Sequence, residues 1–190
     1  MPTIKITDAT AEPFALAEAK THLRVTLVDP QNDAHIEGLI TVARQAAEDR
    51  MQRTLLSTTW QLSLQAFPRG AVTLLKPRIQ SVENIHYLDV EGVQQTLPAN
   101  AYVLDTASEA GQLAPTPGSA WPATRPQPGA VRITYVAGYA SADEIPKPIV
   151  QWIKLALTDL YVSRSRSSER PALPQDFADG LLATYEVQVL

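Results

Sequence analysis

The histidines are the side chains best suited to proton transfer or metal binding near neutral pH. The chain has three of them, His22, His35 and His86. No two have the spacing of zinc ligands on one helix, and no His-Glu-x-x-His motif occurs. The sequence also lacks cysteine, which removes disulfides, thiolate nucleophiles and thiolate metal sites together. We therefore interpret the histidines as ordinary surface or boundary residues and predict no metal site.

Serine and carboxylate patterns are the next candidates for catalysis. No Gly-x-Ser-x-Gly elbow, Ser-x-x-Lys motif or glycine-rich phosphate loop is present. Acidic pairs such as Glu48-Asp49 and Asp143-Glu144 are adjacent in the chain, so the side chains of each pair point in different directions. A carboxylate pair assembled from distant positions, as in a hydrolase, stays open at this stage. We predict that the chain is not an enzyme, has no catalytic residues and uses no cofactor.

Arg164, Arg166 and Arg170 form the one concentration of basic side chains, in a polar stretch that also contains four serines. A guanidinium group can bind phosphate through two parallel hydrogen bonds and needs no deep pocket to do so. Two interpretations follow from this pattern. The stretch is either a solvated loop or a contact with DNA or with an acidic partner protein.

The bulk composition limits the class of protein. A length of 190 residues suits one domain or one core with an insertion, and an apolar content of 45% indicates a folded chain. The formal net charge of −4 comes from well-mixed charges, so the sequence does not demand the basic face of a DNA-binding protein. The N-terminus has no apolar signal core, and no run of 18 apolar residues occurs. We expect a soluble chain without a membrane partner.

Two helices are predicted in the first third of the chain. Residues 14–24 are rich in helix-forming residues. A second helix begins at a cap formed by Asn32 or Asp33 and runs to about residue 55, because apolar residues recur there at three- and four-residue spacing. Arg44 and Glu48 are predicted to lie on the polar side of this helix.

The middle of the chain has the alternation of half-buried strands. Residues 60–67 and 131–136 give the clearest strands, with shorter extended pieces at 72–75, 82–90, 93–97 and 102–104. Residues 111–130 contain five prolines and predict a long irregular loop with Trp121 as its anchor.

A strongly apolar helix is predicted at residues 149–162. Five of its residues form a candidate subunit interface: Ile149, Trp152, Ile153, Ala156 and Leu160. Such a wide apolar stripe is buried, either in the core of its own chain or against a neighbouring subunit. Both alternatives stay open, and a short terminal helix is expected at 177–185.

The order of these elements predicts an α+β fold. Its core is a helical bundle, made by the N-terminal helices and the long C-terminal helix, and it carries an inserted antiparallel β region. We assign residues 1–56 to the N-terminal helical part, 57–140 to the β region and 141–190 to the C-terminal helical part. Together they are expected to form one structural unit.

An ordered set of short motifs runs through nearly the whole chain. In order they are 16–25 (LAEAKTHLRV), 36–44 (IEGLITVAR) with Glu48, 59–60 (TW), 67–68 (FP), 81–89 (SVENIHYLD) with Gly92, 121–122 (WP), 136–139 (VAGY), 146–161 and 181–182 (LL). This set resembles the phage head–tail connector (adaptor) family, including its longer branch, whose members are also described as DNA-packaging proteins. Two departures concern helix ends: Phe14-Ala15 replaces a capping Ser or Thr, and residues 51–53 (MQR) replace Thr-Gly-Arg.

The resemblance implies a passive, structural role. Connector subunits form a ring of roughly a dozen copies below the portal protein, which extends the DNA channel and docks the next tail-side neck protein. The expected location is the virion neck, with the host cytoplasm as the place of assembly. In such a ring, Arg164, Arg166 and Arg170 would repeat as a band of charge in non-specific contact with DNA.

Other functions remain alternatives. The nearest is another phage neck protein, such as a stopper or a tail-completion factor, which differs in its partner. A second is a small ligand-binding module built on the β region, for which the candidate aromatic residues are Trp60, Tyr87, Tyr102 and Trp121. A hydrolase is the third, and it would require a converging polar cleft.

Overall fold

The computed structural model describes residues 2–26, 29–107, 110–162, 178 and 180–187. The chain divides into two units, and each unit combines two separate stretches of sequence. Unit 1 consists of Met1–Ala9 and Ser57–Ala140, and unit 2 consists of Thr10–Leu56 and Ser141–Leu190.

Three helices dominate the described part of unit 2: α1 (Leu16–Leu23), α2 (Pro30–Met51) and α3 (Lys147–Val162). Helix α2 begins earlier than predicted, because the carboxylate of Asp29 accepts the N–H of Gln31 and Pro30 fits the first helical turn. It ends at Met51, and Gln52, which follows, has a φ of 54°, the left-handed conformation common after a helix.

The core of unit 2 lies between the buried faces of these helices. Helix α3 packs along α2 and also contacts α1. The apolar residues that are almost fully buried on α2 and α3 are Ile36, Ile40, Ala43, Ala47, Met51, Ile149, Ile153 and Leu157. Their spacing of three and four residues places each set on one side of its helix, as the sequence pattern predicted for both helices.

Unit 1 contains two antiparallel sheets. The strands are β1 (Thr3–Thr7), β2 (Thr58–Leu64), β3 (Val72–Thr73), β4 (Ile79–Leu88), β5 (Gln94–Thr96), β6 (Tyr102–Asp105), β7 (Gln112–Pro115) and β8 (Val131–Ala137). The larger sheet has the order β1-β2-β8-β4-β5, and the smaller has the order β3-β7-β6. Strand β1 comes from the very start of the chain and pairs with β2, a pairing that the sequence did not predict.

The two sheets share one apolar core. Register places Leu62 of β2 opposite Ile133 of β8, and Ile133 opposite Ile85 of β4, so that the same row of side chains crosses three strands. These residues are fully buried together with Val72 and Leu113 of the smaller sheet. Unit 1 therefore has a hydrophobic core of its own.

The prediction of a helical bundle core that carries an inserted β region is wrong, although the chain is α+β. The two antiparallel sheets bury their own apolar residues, from Leu62 on β2 to Leu113 on β7, and are not an appendage of a helical core. The C-terminal helix α3 has 16 residues and is shorter than α2, which has 22. The predicted long irregular loop at residues 111–130 contains strand β7, which lies at the centre of the smaller sheet.

Candidate interaction surfaces

Helix α3 presents three different sides. Ile149, Ile153 and Leu157 are fully buried in the core. A polar flank binds α1, where Lys154 Nζ donates to Glu18 Oε1 at 2.6 Å and Thr158 Oγ1 lies 3.1 Å from His22 Nε2. The third side carries the apolar residues at positions 152, 156 and 160, which are less buried than the core side.

The five residues of the predicted subunit interface therefore fall into two groups. Ile149 and Ile153 are 0% exposed and hold the core together. Trp152 and Ala156 are half-buried, and Leu160 is 36% exposed. The last three repeat every four residues and form one stripe along the helix. That this stripe is a subunit interface stays a prediction.

Arg164, Arg166 and Arg170 lie outside the described residues. Their suggested contact with DNA or a partner therefore stays a prediction from the sequence. Of the short terminal helix expected at 177–185, residues 177 and 179 also lie outside the described residues; Ala178 and Gly180 are helical, and a 3-10 turn, Ala183–Tyr185, follows.

A buried ion network fixes the start of unit 2 to helix α2. The side chain of Arg44 is 1% exposed, and its Nε donates to Glu12 Oε2 at 2.9 Å while Nη1 donates to Glu48 Oε2 at 3.1 Å. The other carboxylate oxygen of Glu48 accepts the backbone N–H of Leu55. The prediction that Arg44 and Glu48 lie on the polar side of α2 is wrong, and the network ties three segments of unit 2 together.

A cleft of about 670 Å³ opens on unit 2 and carries four carboxylates, those of Glu12, Glu18, Glu37 and Asp143. Two of them are already engaged, since Glu12 pairs with Arg44 and Glu18 pairs with Lys154. Glu37 and Asp143 are exposed. A glycosidase-type acid lies in buried, apolar surroundings, whereas both of these side chains face solvent. The cleft thus gives the hydrolase alternative no support.

The aromatic residues proposed for a ligand-binding module pack in unit 1. All four of them are partly buried against its core: Trp60, Tyr87, Tyr102 and Trp121. The Trp121 ring stacks on Phe67 with centroids 4.8 Å apart, and its Nε1 donates to the carbonyl oxygen of Gly70 at 2.8 Å. Trp121 thus anchors its loop as predicted. This packing favours a structural role for these rings.

The turn between β4 and β5 is a preformed surface feature. Asp89 Oδ1 accepts the N–H groups of Glu91 and Val93, and Oδ2 accepts Nε2 of Gln95. The hydrogen bond from Gln95, followed by that from the Val93 N–H, lowers the pKa of Asp89 below its ordinary value of 3.8. Val93 is 53% exposed, so an ordered turn presents an apolar side chain to solvent.

Neither metal binding nor membrane crossing is indicated in the described ranges. No group of three or more His, Asp or Glu side chains there has an arrangement that could hold a metal ion. None of the helices in the described part of the chain has the length and apolar character needed to span a membrane.

Solved structures share the fold of the whole chain. No family model and no curated protein matches the sequence. Three of the solved structures that match do so, in contrast, from end to end, and they are chains of gene transfer agent particles, in assemblies of the virion and of its neck. This likeness establishes the fold.

These three structures show the particle in two states, empty and native. The neck of the empty particle, computed with C6 symmetry, contains a chain with a TM-score of 0.78 at 23% identity. The virion of the native particle gives 0.79 at 24%, and the neck of the native particle, computed with C12 symmetry, gives 0.69 at 25%. Each match covers 100% of this chain and 98% of the other.

Proposed function

We propose that this chain is a structural subunit of the neck of a phage-like particle and, more specifically, a head–tail connector that closes into a ring. The observation that carries the proposal is the end-to-end match with chains in particle necks that have C6 and C12 symmetry. The match covers both units, at TM-scores up to 0.79. The ordered connector-like motifs of the sequence support the same role.

In a closed ring, one patch on each subunit contacts a different patch on the next subunit. The stripe of Trp152, Ala156 and Leu160 is our candidate for one of these patches. It is apolar, lies beside the buried side of α3 and is not used by the polar contacts to α1. Burial of such a stripe at each of many equivalent contacts would stabilise the ring in proportion to the apolar area removed from water.

The remaining partners follow from the connector role. The ring would lie in the virion neck after assembly in the host cytoplasm, with the portal protein on one side and a tail-side neck protein on the other. Arg164, Arg166 and Arg170 are proposed to meet DNA or an acidic partner without sequence specificity, since contacts to backbone phosphates carry no sequence information. The function needs no cofactor and no catalytic residue.

Binding to the portal separates a connector from a stopper or a tail-completion factor. The experiment mixes the purified chain with the portal ring of the same particle and follows the complex by sedimentation velocity. A connector is expected to co-sediment with the portal at one chain for each portal subunit. Association with a tail-side neck protein, together with no binding to the portal, would contradict the connector assignment.

A further inference from the structure

The loop between β3 and β4 carries two basic residues in a strained backbone conformation. Lys76 and Arg78 have φ angles of 67° and 63°, in the left-handed region where a Cβ atom crowds the backbone. The other described non-glycine residues with positive φ, Arg24 and Gln52, cap the C-terminal ends of α1 and α2, where this conformation is common. No helix end explains Lys76 and Arg78, and strain of this kind is typical of functional sites.

The rest of unit 1 holds this loop in place on both sides of Pro77. Tyr135 Oη donates a hydrogen bond of 2.7 Å to the carbonyl oxygen of Leu75. The carbonyl oxygen of Arg78 accepts the N–H of Gly138 at 3.0 Å. Pro77 itself is buried. The core therefore fixes the positions from which both basic side chains extend.

Aromatic rings then hold the two cationic groups. Lys76 Nζ lies 5.1 Å from the ring centroid of Trp60, and the guanidinium carbon of Arg78 lies 4.2 Å from that of Tyr139. Stacking on a ring leaves the N–H groups at the edge of a guanidinium available for an anion. Neither cation has a carboxylate partner among the described residues.

We infer that Lys76 and Arg78 form a contact for the backbone phosphates of duplex DNA. The fork of Arg78 suits the oxygens of a phosphate, and Lys76 adds a point charge beside it. Lys5, which lies 5.6 Å from the same Trp60 ring, contributes less because it is paired with Asp8. The inference rests on the proposed function, since a ring around DNA would bring the phosphates and repeat the pair in every subunit.

The test measures binding of a short fluorescent DNA duplex by anisotropy at several salt concentrations. The variant K76N/R78N removes both charges, and asparagine tolerates the left-handed backbone, so the fold is retained. The control R69N/R125N removes the same charge from two exposed arginines of unit 1. We expect K76N/R78N to bind about tenfold more weakly, with a salt slope that is smaller by about one for each phosphate that the variant no longer neutralises. The control is expected to change the affinity by less than about threefold.

Two results would overturn the inference. One is that wild-type protein and K76N/R78N bind the DNA duplex with equal affinity while light scattering shows that both form rings. That result would contradict the inference but not the proposed ring. The other is that a polyglutamate peptide of equal charge binds as tightly as the duplex. The site would then recognise an acidic protein instead of DNA. If no ring forms, the proposed function fails on the scattering result alone, and the comparison of variants on the smaller species still decides the inference.

Discussion

The phenol of Tyr135 donates a 2.7 Å hydrogen bond to the carbonyl oxygen of Leu75. Tyr135 lies on β8, the middle strand of the larger sheet, and is fully buried. Leu75 comes directly before the loop that carries Lys76 and Arg78. The hydrogen bond thus connects the centre of the unit 1 core to an exposed basic loop, and burial raises the pKa of Tyr135 above its ordinary value of 10.0.

Replacing Tyr135 with Phe removes this hydrogen bond and keeps the ring. The free energy of unfolding is expected to fall by about 1 kcal/mol at neutral pH, because the carbonyl of Leu75 loses its donor. Urea denaturation of both proteins measures the difference. A Y135F protein that is as stable as wild type would show that this hydrogen bond does not help to hold the loop.

The hydrogen bond between Tyr135 and Leu75 also predicts how the free energy of unfolding changes with pH. Since the folded pKa of Tyr135 is raised, its stabilising contribution is fully present below 10.0 and is lost as pH rises toward the folded pKa. The difference in the free energy of unfolding between wild type and Y135F, measured in urea titrations, should therefore shrink as pH rises above 10.0. A gap that stays constant up to about pH 11 would contradict the raised pKa.

Arg44→Met should be among the most destabilising substitutions in unit 2. It removes the buried cation that pairs with the carboxylates of Glu48 and Glu12, and removing one partner of a buried ion pair typically costs about 3–5 kcal/mol. Arg50→Met is the matched control, because Arg50 is 40% exposed and lies 3.6 Å from an equally exposed Glu186; its expected cost is below about 1 kcal/mol. Equal losses in chemical denaturation would rule out a special role for the buried network.

Asp89→Ala should loosen the β4–β5 turn without unfolding the sheet. The backbone N–H of Val93 loses its carboxylate acceptor, so its hydrogen exchange is expected to accelerate by roughly threefold to tenfold. Because the folded pKa of Asp89 is depressed, the protection in wild type exists above 3.8 and disappears as pH falls through the folded pKa. Exchange at Val93 that is unchanged in the variant would mean that the turn is ordered by its backbone alone.

The stripe on α3 is tested by adding charge where the fold can tolerate it. Leu160→Glu places a carboxylate on a residue that is 36% exposed, so the subunit should stay folded while a ring interface through this stripe is disrupted. Gln151→Glu, at an exposed position of the same helix, serves as the control. The mass of the assembled particle should fall to that of small species for L160E alone. If L160E still forms intact rings, the subunit interface does not include the stripe on α3 and must lie on another surface.

The helices and central strands could be predicted from local pattern. Helices α2 and α3 are long enough for three- and four-residue periodicity to appear, and apolar and polar residues alternate over 60–64 of β2 and 131–135 of β8. Strand β1 was missed because its register depends on β2, more than 50 residues further along the chain, and because Ile4 and Ile6 are about half exposed. The apolar residues of β1 therefore do not form the buried face by which a strand is recognised in a sequence.

The candidate sites were harder to predict because they depend on long-range partners. Arg44 is buried because Glu12, 32 residues earlier, reaches it, and no helical pattern contains that information. The left-handed conformation of Lys76 and Arg78 runs against the preference of both residue types, so composition predicts an ordinary turn there. Only the apolar residues of the candidate interface on α3 could be found from the sequence. Which of the five are buried and which are partly exposed depends on how α3 packs against α2.

The molar mass of the purified protein, measured by light scattering across a concentration series and again with the portal ring present, tests the ring most directly. The account predicts a discrete particle at a whole multiple of 20.7 kDa, near twelve copies or roughly 250 kDa, formed alone or on the portal. A chain that keeps the mass of a monomer at every concentration, and in the presence of the portal, would contradict the ring and with it the proposed role in the neck.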